Sequence, residues 1–362
     1  MKQSIINTTG SHSSAITANG ELFEWGKDIS FTTHVEDAVC NLYPVKVAED
    51  VVYAKSYDNT LIIDNNGRLF SRGIDSIRGE HAKTRTRRYP LFVMDDVIIA
   101  EPCGGTSLVV TSDNTLWGWG SNWGRSLISC SKLHSYSPVK IMTDVQDICY
   151  TGGSTFAIKT DNTLWGWGPN VNGSLGTPCK STIIGSLLFI EDEDSAIYSQ
   201  NQILSDVVKI STGYGTFAIN TKNQLLSWGS NGGDALANTI NSTPDVLADI
   251  CYTPTVIMED IVDVSVAYGC VMVVDTAGGL WTWGTNRYGQ LGDGTTTDRY
   301  KPKKIMDGVV AISSGGYHAL ALTQDGTLWA WGSNNYGQLG IGDNSLSFSA
   351  KPIKVMGGVM LP

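Results

Sequence analysis

DNTLWGWGSN at 113–122 is a turn dipeptide followed by a tryptophan-rich strand that ends in glycine, and the phrase returns along the whole chain. It stands again as DNTLWGWGPN at 161–170, AGGLWTWGTN at 277–286 and DGTLWAWGSN at 325–334. Weaker copies are NGELFEWG at 19–26, NGRLFSRG at 66–73 and KNQLLSWGSN at 222–231. The closing glycines are therefore Gly26, Gly73, Gly120, Gly168, Gly229, Gly284 and Gly332, separated by 47, 47, 48, 61, 55 and 48 residues. A period near 47 with no helical segment between copies is the length of a four-stranded propeller blade.

Each unit divides into four strands. The first is a β-branched run after an acidic or glycine position, as in Asp206-Val207-Val208-Lys209-Ile210. A bend rich in glycine and tyrosine (STGYG at 211–215, SSGGY at 313–317) leads to an alternating second strand such as TFAIN at 216–220. Asp-Asn, Asn-Gly or Asp-Gly then turns the chain into the tryptophan strand, because these residues accept positive φ. The fourth strand is expected to begin at a proline, as in YPVKV at 43–47 or KPIKV at 351–355, since proline has no ladder donor and suits a strand's first residue or an edge. Period-two alternation puts Trp117 and Trp119 on one strand face, and ten of the eleven tryptophans share this motif, which assigns them to packing between blades. Only Trp123 stands outside it.

The last unit runs past its fourth strand into MGGVM at 356–360, which restarts strand one, while Ile6 aligns with Ile312. Strands from the two chain ends are thus expected to meet in one blade and hide the sheet edges that an open array exposes. The expectation is an all-β, seven-bladed β-propeller of four-stranded antiparallel blades, one domain over residues 1–362, closed by its N- and C-terminal strands.

The pairing of W-G-x-N with G-Q-L-G, in WGTNRYGQLGDG (283–294) and WGSNNYGQLGIG (331–342), resembles the repeat of the regulator of chromosome condensation family over nearly the whole chain. That resemblance implies a seven-bladed propeller. It implies a protein-binding ring face too, since proteins that look like this include exchange factors for the Ran GTPase, a bacterial propeller inhibitor of β-lactamases and ubiquitin-ligase accessory domains. Guanine-nucleotide exchange on a small GTPase and inhibition of an enzyme such as a β-lactamase are the two sharper versions. An enzyme with a site in the central channel is the reading from a different class.

Composition narrows the choice. With 25 basic against 35 acidic residues the net charge is −10, which disfavours nucleic acid as a partner. The opening MKQSIINTTG shows neither a basic tail nor a secretory leader, and no apolar run approaches a membrane span. Seven cysteines without a C-x-x-C pair fit free thiols in a reducing compartment. A cytoplasmic monomer that binds a protein partner, away from membranes and nucleic acid, is the expectation.

Catalytic patterns are missing from the sequence: the five histidines have no metal-ligand spacing, and there is no G-x-S-x-G elbow or phosphate loop. No catalytic residue, metal site or cofactor is expected. His12 and His318 share one repeat position, as a structural hydrogen bond would have it. Asp293 and Asp298 in the run at 292–298 read as turn residues rather than calcium ligands.

From the residue opening strand one to the closing glycine, every unit has nearly the same length, whereas all excess falls after W-G in units four and five. Insertions thus collect in the connectors 171–205 and 232–259. In an up-and-down blade these connectors emerge on the same side as the bends after strand one. That side is the expected binding face, with Tyr57, Tyr214, Tyr268 and Tyr317 from the bends and Trp123, Tyr288 and Tyr336 from the connectors as aromatic anchors. Capping of the blades is the competing reading for the tyrosines. Unit two adds the basic connector RGEHAKTRTRR at 78–88, whose Arg78, Arg85, Arg87 and Arg88 would steer an acidic partner. The insertion at 177–200 reads either as an arm over the mouth or as an extra edge strand.

Overall fold

The computed structural model describes residues 5–27, 40–57, 59–74, 86–103, 105–122, 125–128, 133–151, 154–170, 173–178, 182–184, 187–189, 197–231, 250–343 and 345–362. Side chains at 74, 86–89, 151, 182–184, 187–189 and 197–198 lie outside that description. The chain folds into seven four-stranded antiparallel sheets, each meandering in sequence order. Blades one to seven span 6–48, 51–94, 97–142, 145–204, 207–258, 261–306 and 309–356.

Two backbone hydrogen bonds recur at every seam of the ring. The first residue of strand one donates to the hairpin of the preceding blade: Val51 to Gly20 O (2.8 Å), Val97 to Gly67 O (2.9 Å), Val145 to Asn114 O (2.8 Å) and so on to Val309 and Gly278 O (2.9 Å). Each blade's own hairpin in turn donates to the carbonyl just before its strand one, as Asn65 does to Asp50 and Ser112 to Asp96. That residue is left-handed in each blade, an aspartate at 50, 96, 144, 206 and 260 and a glycine at 308. Gly308, rather than Asp307, therefore marks the opening of blade seven. The hairpin acceptors are also left-handed, which is why Asn or Gly stands there.

The seventh seam joins the chain ends. Val359 donates to Gly326 O (3.1 Å), Ala18 to Gly358 O (2.9 Å), and Thr17 forms an antiparallel bridge with Val359. Ile6–Thr9 continues the same strand position, paired with His12–Ile16. Strand one of blade one is thus a composite of both termini, as the restart at 356–360 anticipates.

The fourth strands correct the sequence reading. They begin about four residues before the proline: Cys40–Ala48 contains Pro44, and Phe348–Met356 contains Pro352. The ladder to strand three skips at this point, Glu24 pairing with Val45 and Gly26 with Asn41. A bulge on the outermost strand needs no N–H from its central residue, so proline sits inside the strand. Opposite that bulge is the closing glycine at positive φ, 88° at Gly26 and 98° at Gly120. A Cβ there would run into the carbonyl of the bend between strands one and two, at Ser11 and Gly105 respectively. This collision makes glycine the fixed mark of the repeat.

Between the blades lie the inner tryptophans Trp25, Trp119, Trp167, Trp228, Trp283 and Trp331, all fully buried. Blade two carries Arg72 at this position, in strand Leu69–Ile74, and its guanidinium pairs with the buried carboxylate of Glu24 in blade one. Glu24 occupies a position that is glycine at 118 and 166, so the acid of one blade fills space next to the arginine of the next. The insertion after blade four's third strand forms its own antiparallel pair, Thr182–Ile184 with Leu187–Phe189, and adds no strand to the blade sheet.

Candidate protein-binding face

The connectors that carry the aromatic anchors are built by one asparagine each. In W-G-x-N the side chain of Asn286 accepts the N–H of Leu291 (3.0 Å), Asn334 that of Leu339 (3.1 Å), Asn122 that of Leu127 (2.8 Å) and Asn170 that of Leu175 (2.9 Å). The four leucines are thereby driven into the core at 0–2% exposure. Asn286 also donates to the carbonyls of Thr295 and Thr297 (both 3.0 Å), which ties down the whole loop. The glutamine of G-Q-L-G holds the adjacent tyrosine: Gln290 accepts from Tyr288 N and Gln338 from Tyr336 N, both at 2.9 Å. The backbone carbonyls of the same glutamines accept the indoles of the next blade, Trp331 to Gln290 (2.8 Å) and Trp25 to Gln338 (2.9 Å). The motif therefore fastens each connector to its own core and to the neighbouring blade. In the same loop Asp293 is held at about 2: burial works against its charge, but the Thr295 hydroxyl and the Arg299 guanidinium outweigh it.

On this scaffold the tyrosines of blades five, six and seven converge. The Tyr268 ring stacks on Tyr317 with centroids 5.3 Å apart, meets Tyr214 edge-on at 6.1 Å, and Tyr288 closes edge-on against Tyr317 at 5.3 Å. Tyr214, Tyr268 and Tyr317 remain 50%, 47% and 44% exposed. Burial first, then the neighbouring phenols Tyr317 and Tyr214, raises the Tyr268 hydroxyl above its ordinary range. Tyr268 itself has φ 49°, and its carbonyl accepts the N–H of Tyr214 (2.9 Å), a link between two bends.

The remaining anchors divide. Tyr336 lies under the Lys27 ammonium, 5.8 Å from the ring centroid, and Tyr57 stands exposed on blade two at the edge of the central cavity. Trp123, Arg78 and Arg85 lie outside the described residues. Arg87 and Arg88 belong to the fourth strand Thr86–Met94, with Arg87 paired to Gly73, rather than to the connector, because the strand begins before Pro90. Their side chains lie outside the description.

Sequence reasoning passed over the inner wall. The first strands line a central cavity of about 1500 Å³. Blades are stitched there by side chains: Ser211 Oγ accepts Val266 N (3.0 Å), Ser265 Oγ accepts Ser314 N (2.9 Å) and Ser313 Oγ accepts Thr8 N (3.0 Å). The position of these serines is Lys55 in blade two and Glu101 in blade three, and the two form an ion pair. Burial pulls the Lys55 ammonium down, yet the Glu101 carboxylate wins and it titrates above its usual range. Lys209 of blade five pairs with Asp263 of blade six, two residues before Ser211 and Ser265. The available signal was a serine recurring two places after Lys209, Asp263 and Ala311, but its partner in each case is on another blade. The repeat position shared by His12 and His318 is structural: His12 Nδ1 lies 3.3 Å from Lys27 O, and His318 Nε2 lies 2.8 Å from Ser13 Oγ across the closing seam. Among the described residues no group of three His, Cys, Asp or Glu side chains is placed to hold a metal ion.

With this geometry in hand, the comparisons agree. The regulator of chromosome condensation (RCC1) repeat matches residues 277–322 and 325–359, and a second description of the same repeat matches 309–338. The matched stretch runs from the hairpin of blade six to the closing strand at the chain's end, and it is there that the chain is similar to this repeat. Among solved structures, Prp20p from Saccharomyces cerevisiae is similar with a TM-score of 0.76 at 14% identity, over 94% of this chain and 87% of that one. Yeast RCC1 (Prp20) bound to Kap60 gives 0.75 at 13% identity, over 99% and 88%, and human WBSCR16 gives 0.71 at 19% identity, over 93% and 94%. These are likenesses of fold. No curated protein sequence matches the chain.

Proposed function

We propose that this chain is a non-enzymatic interaction propeller that grips a protein partner through the tyrosine face of blades five, six and seven. The observation that carries the reading is the four-ring cluster of Tyr214, Tyr268, Tyr317 and Tyr288, delivered by three successive blades, with the first three rings still about half exposed. Tyrosine supplies a large, rigid contact area with few rotatable bonds, the composition of interface hot spots. The connectors beneath are fixed by buried asparagines, so the surface is preorganised and little ordering entropy opposes binding. Solved structures of the yeast neighbour support protein partners for this fold, since it is described with its binding to Gsp1p and histones and in complex with Kap60.

The test is affinity capture with the wild-type chain, the Tyr268→Ala/Tyr317→Ala variant and a Tyr300→Ala control at the outer strand, where Tyr300 is 59% exposed. A partner held by wild type and control and lost by the double variant supports the reading. Each single tyrosine change should then weaken that partner by about 1 kcal/mol or more. A partner retained by the double variant at full affinity would sink it.

A further inference from the structure

The end formed by the hairpins between strands two and three holds aspartates that serve their own turns. Asp113 accepts Thr115 N (3.1 Å), Asp161 accepts Thr163 N (3.0 Å) and Asp325 accepts Thr327 N (3.0 Å). Each of these carboxyls is held below its ordinary range, first by a threonine hydroxyl bond. The acidity of that end is thus explained by turn chemistry.

Beside the tyrosine cluster stand cations. Lys27 lies over Tyr336 and Arg287 over Tyr288, each 5.8 Å from the ring centroid. Neither cation has an ion-pair partner among the described residues, and Arg287 is exposed. Arg125 marks the same level on blade three, at φ 56° where the other connectors have Gly173, Gly289 and Gly337. The carboxylates described in these connectors serve their own loops: Asp293 is shared by Arg299 and Lys303, Asp298 accepts Asn286 N (2.7 Å) and Asp343 accepts Ser345 N (2.8 Å).

Resting on the proposed function, we infer that the segment docked by this face is acidic and apolar: a carboxylate-bearing stretch of a protein partner whose hydrocarbon rests on the Tyr268–Tyr317 stack. The phenols of Tyr214, Tyr268 and Tyr317 donate hydrogen bonds, and Arg287 supplies the charge-assisted contact at the rim. A basic segment gains least here. The cation–π positions over Tyr288 and Tyr336 are filled by the chain's own Arg287 and Lys27, and a second cation would meet like charge.

The experiment is selection of random displayed peptides on the intact chain, with counter-selection against Tyr268→Ala/Tyr317→Ala. The selected sequence is then synthesised and titrated into wild type and Arg287→Glu at two ionic strengths. The expected result is a consensus of Asp or Glu beside apolar residues, lost with the double variant. Arg287→Glu should weaken it about five- to tenfold, more at low salt than at high. A Lys- or Arg-rich consensus lost with the double variant would overturn the acidic assignment and leave the tyrosine face standing. Peptides that keep full affinity for the double variant, or no enrichment at all, would overturn both. Arg287 is exposed, so its charge reversal keeps the test open even if the double variant fails to fold.

Discussion

Removing residues 357–362 strips the closing strand from blade one. Three backbone hydrogen bonds go with it: Val359 to Gly326 O (3.1 Å), Met360 to Ile16 O (2.9 Å) and Ala18 to Gly358 O (2.9 Å). At about 1 kcal/mol net each, these contribute about 3 kcal/mol. Val359 is 2% exposed and packs with Ile5, Ile16 and Leu328, so its burial adds about 2 kcal/mol. The loss of about 5 kcal/mol is at least a third of the stability of an ordinary domain. Equilibrium urea unfolding, followed by the fluorescence of the buried tryptophans, should show the whole transition shift. The point variants give a sharper form. Val309 holds the equivalent place in blade seven, also 2% exposed and bonded to the preceding hairpin. Val359→Ala and Val309→Ala should therefore cost the same, about 1.5 kcal/mol, within about 0.5 kcal/mol of each other. If truncation left the transition unmoved, or Val359→Ala cost nothing while Val309→Ala did, the terminus would not be sealing the ring.

Three further outcomes follow from the same geometry. Glu24→Ala or Arg72→Ala alone should destabilise by about 3–5 kcal/mol, because each leaves a buried charge without its counter-ion, while Glu24→Gly with Arg72→Trp, which restores the repeat pattern, should recover most of the loss in a double-mutant cycle. His318 is pushed down to about 3, first by burial and then by His12, so the unfolded chain binds a proton that the folded chain refuses. Its contribution is fully present above about pH 6.5 and falls away as pH drops toward 3; comparing urea midpoints of wild type and His318→Thr between pH 6.5 and 5 should show a slope that the variant lacks. Tyr268→Gly should leave stability within about 1 kcal/mol of wild type while abolishing partner binding, and a loss of several kcal/mol would mean that the ring serves the fold instead.

How much of this was legible in the sequence depends on whether a feature repeats. The blade count, strand order and composite first strand could be read because all seven closing glycines have positive φ, with the same collision at Gly26, Gly120, Gly284 and Gly332, and because Val359 stands where Val51 stands in its own blade. The internal place of Pro44 could not be read, since it depends on a bulge that only the pairing of Glu24 and Gly26 with the fourth strand defines. The Arg72–Glu24 pair was hidden for a related reason: both residues break the repeat, and their partnership crosses from one blade to the next. The positions of Tyr288 and Tyr336 could be read because W-G-x-N and G-Q-L-G dictate the loop that holds them.

The backbone at Tyr268 decides between a face that merely caps its blades and one kept for binding. A left-handed conformation costs an aromatic residue about 1–2 kcal/mol, and glycine would adopt it freely. Glycine does stand at the equivalent position of the next bend, where Gly316 at φ 88° lies against the Tyr268 ring. Contacts with Tyr214 and Tyr317 return about 0.5–1.5 kcal/mol each, so the ring roughly cancels its own strain and adds little to the fold. A cap would be expected to lower the free energy of the ring on balance, and to be covered by what it caps. Tyr268 does neither: it is 47% exposed at the centre of four rings, and the strain turns its side chain between those of two adjacent blades. Under the proposed function, a residue that is nearly neutral in the folded chain and exposed at the middle of a rigid aromatic patch has its energetic effect still to come, when a partner covers it.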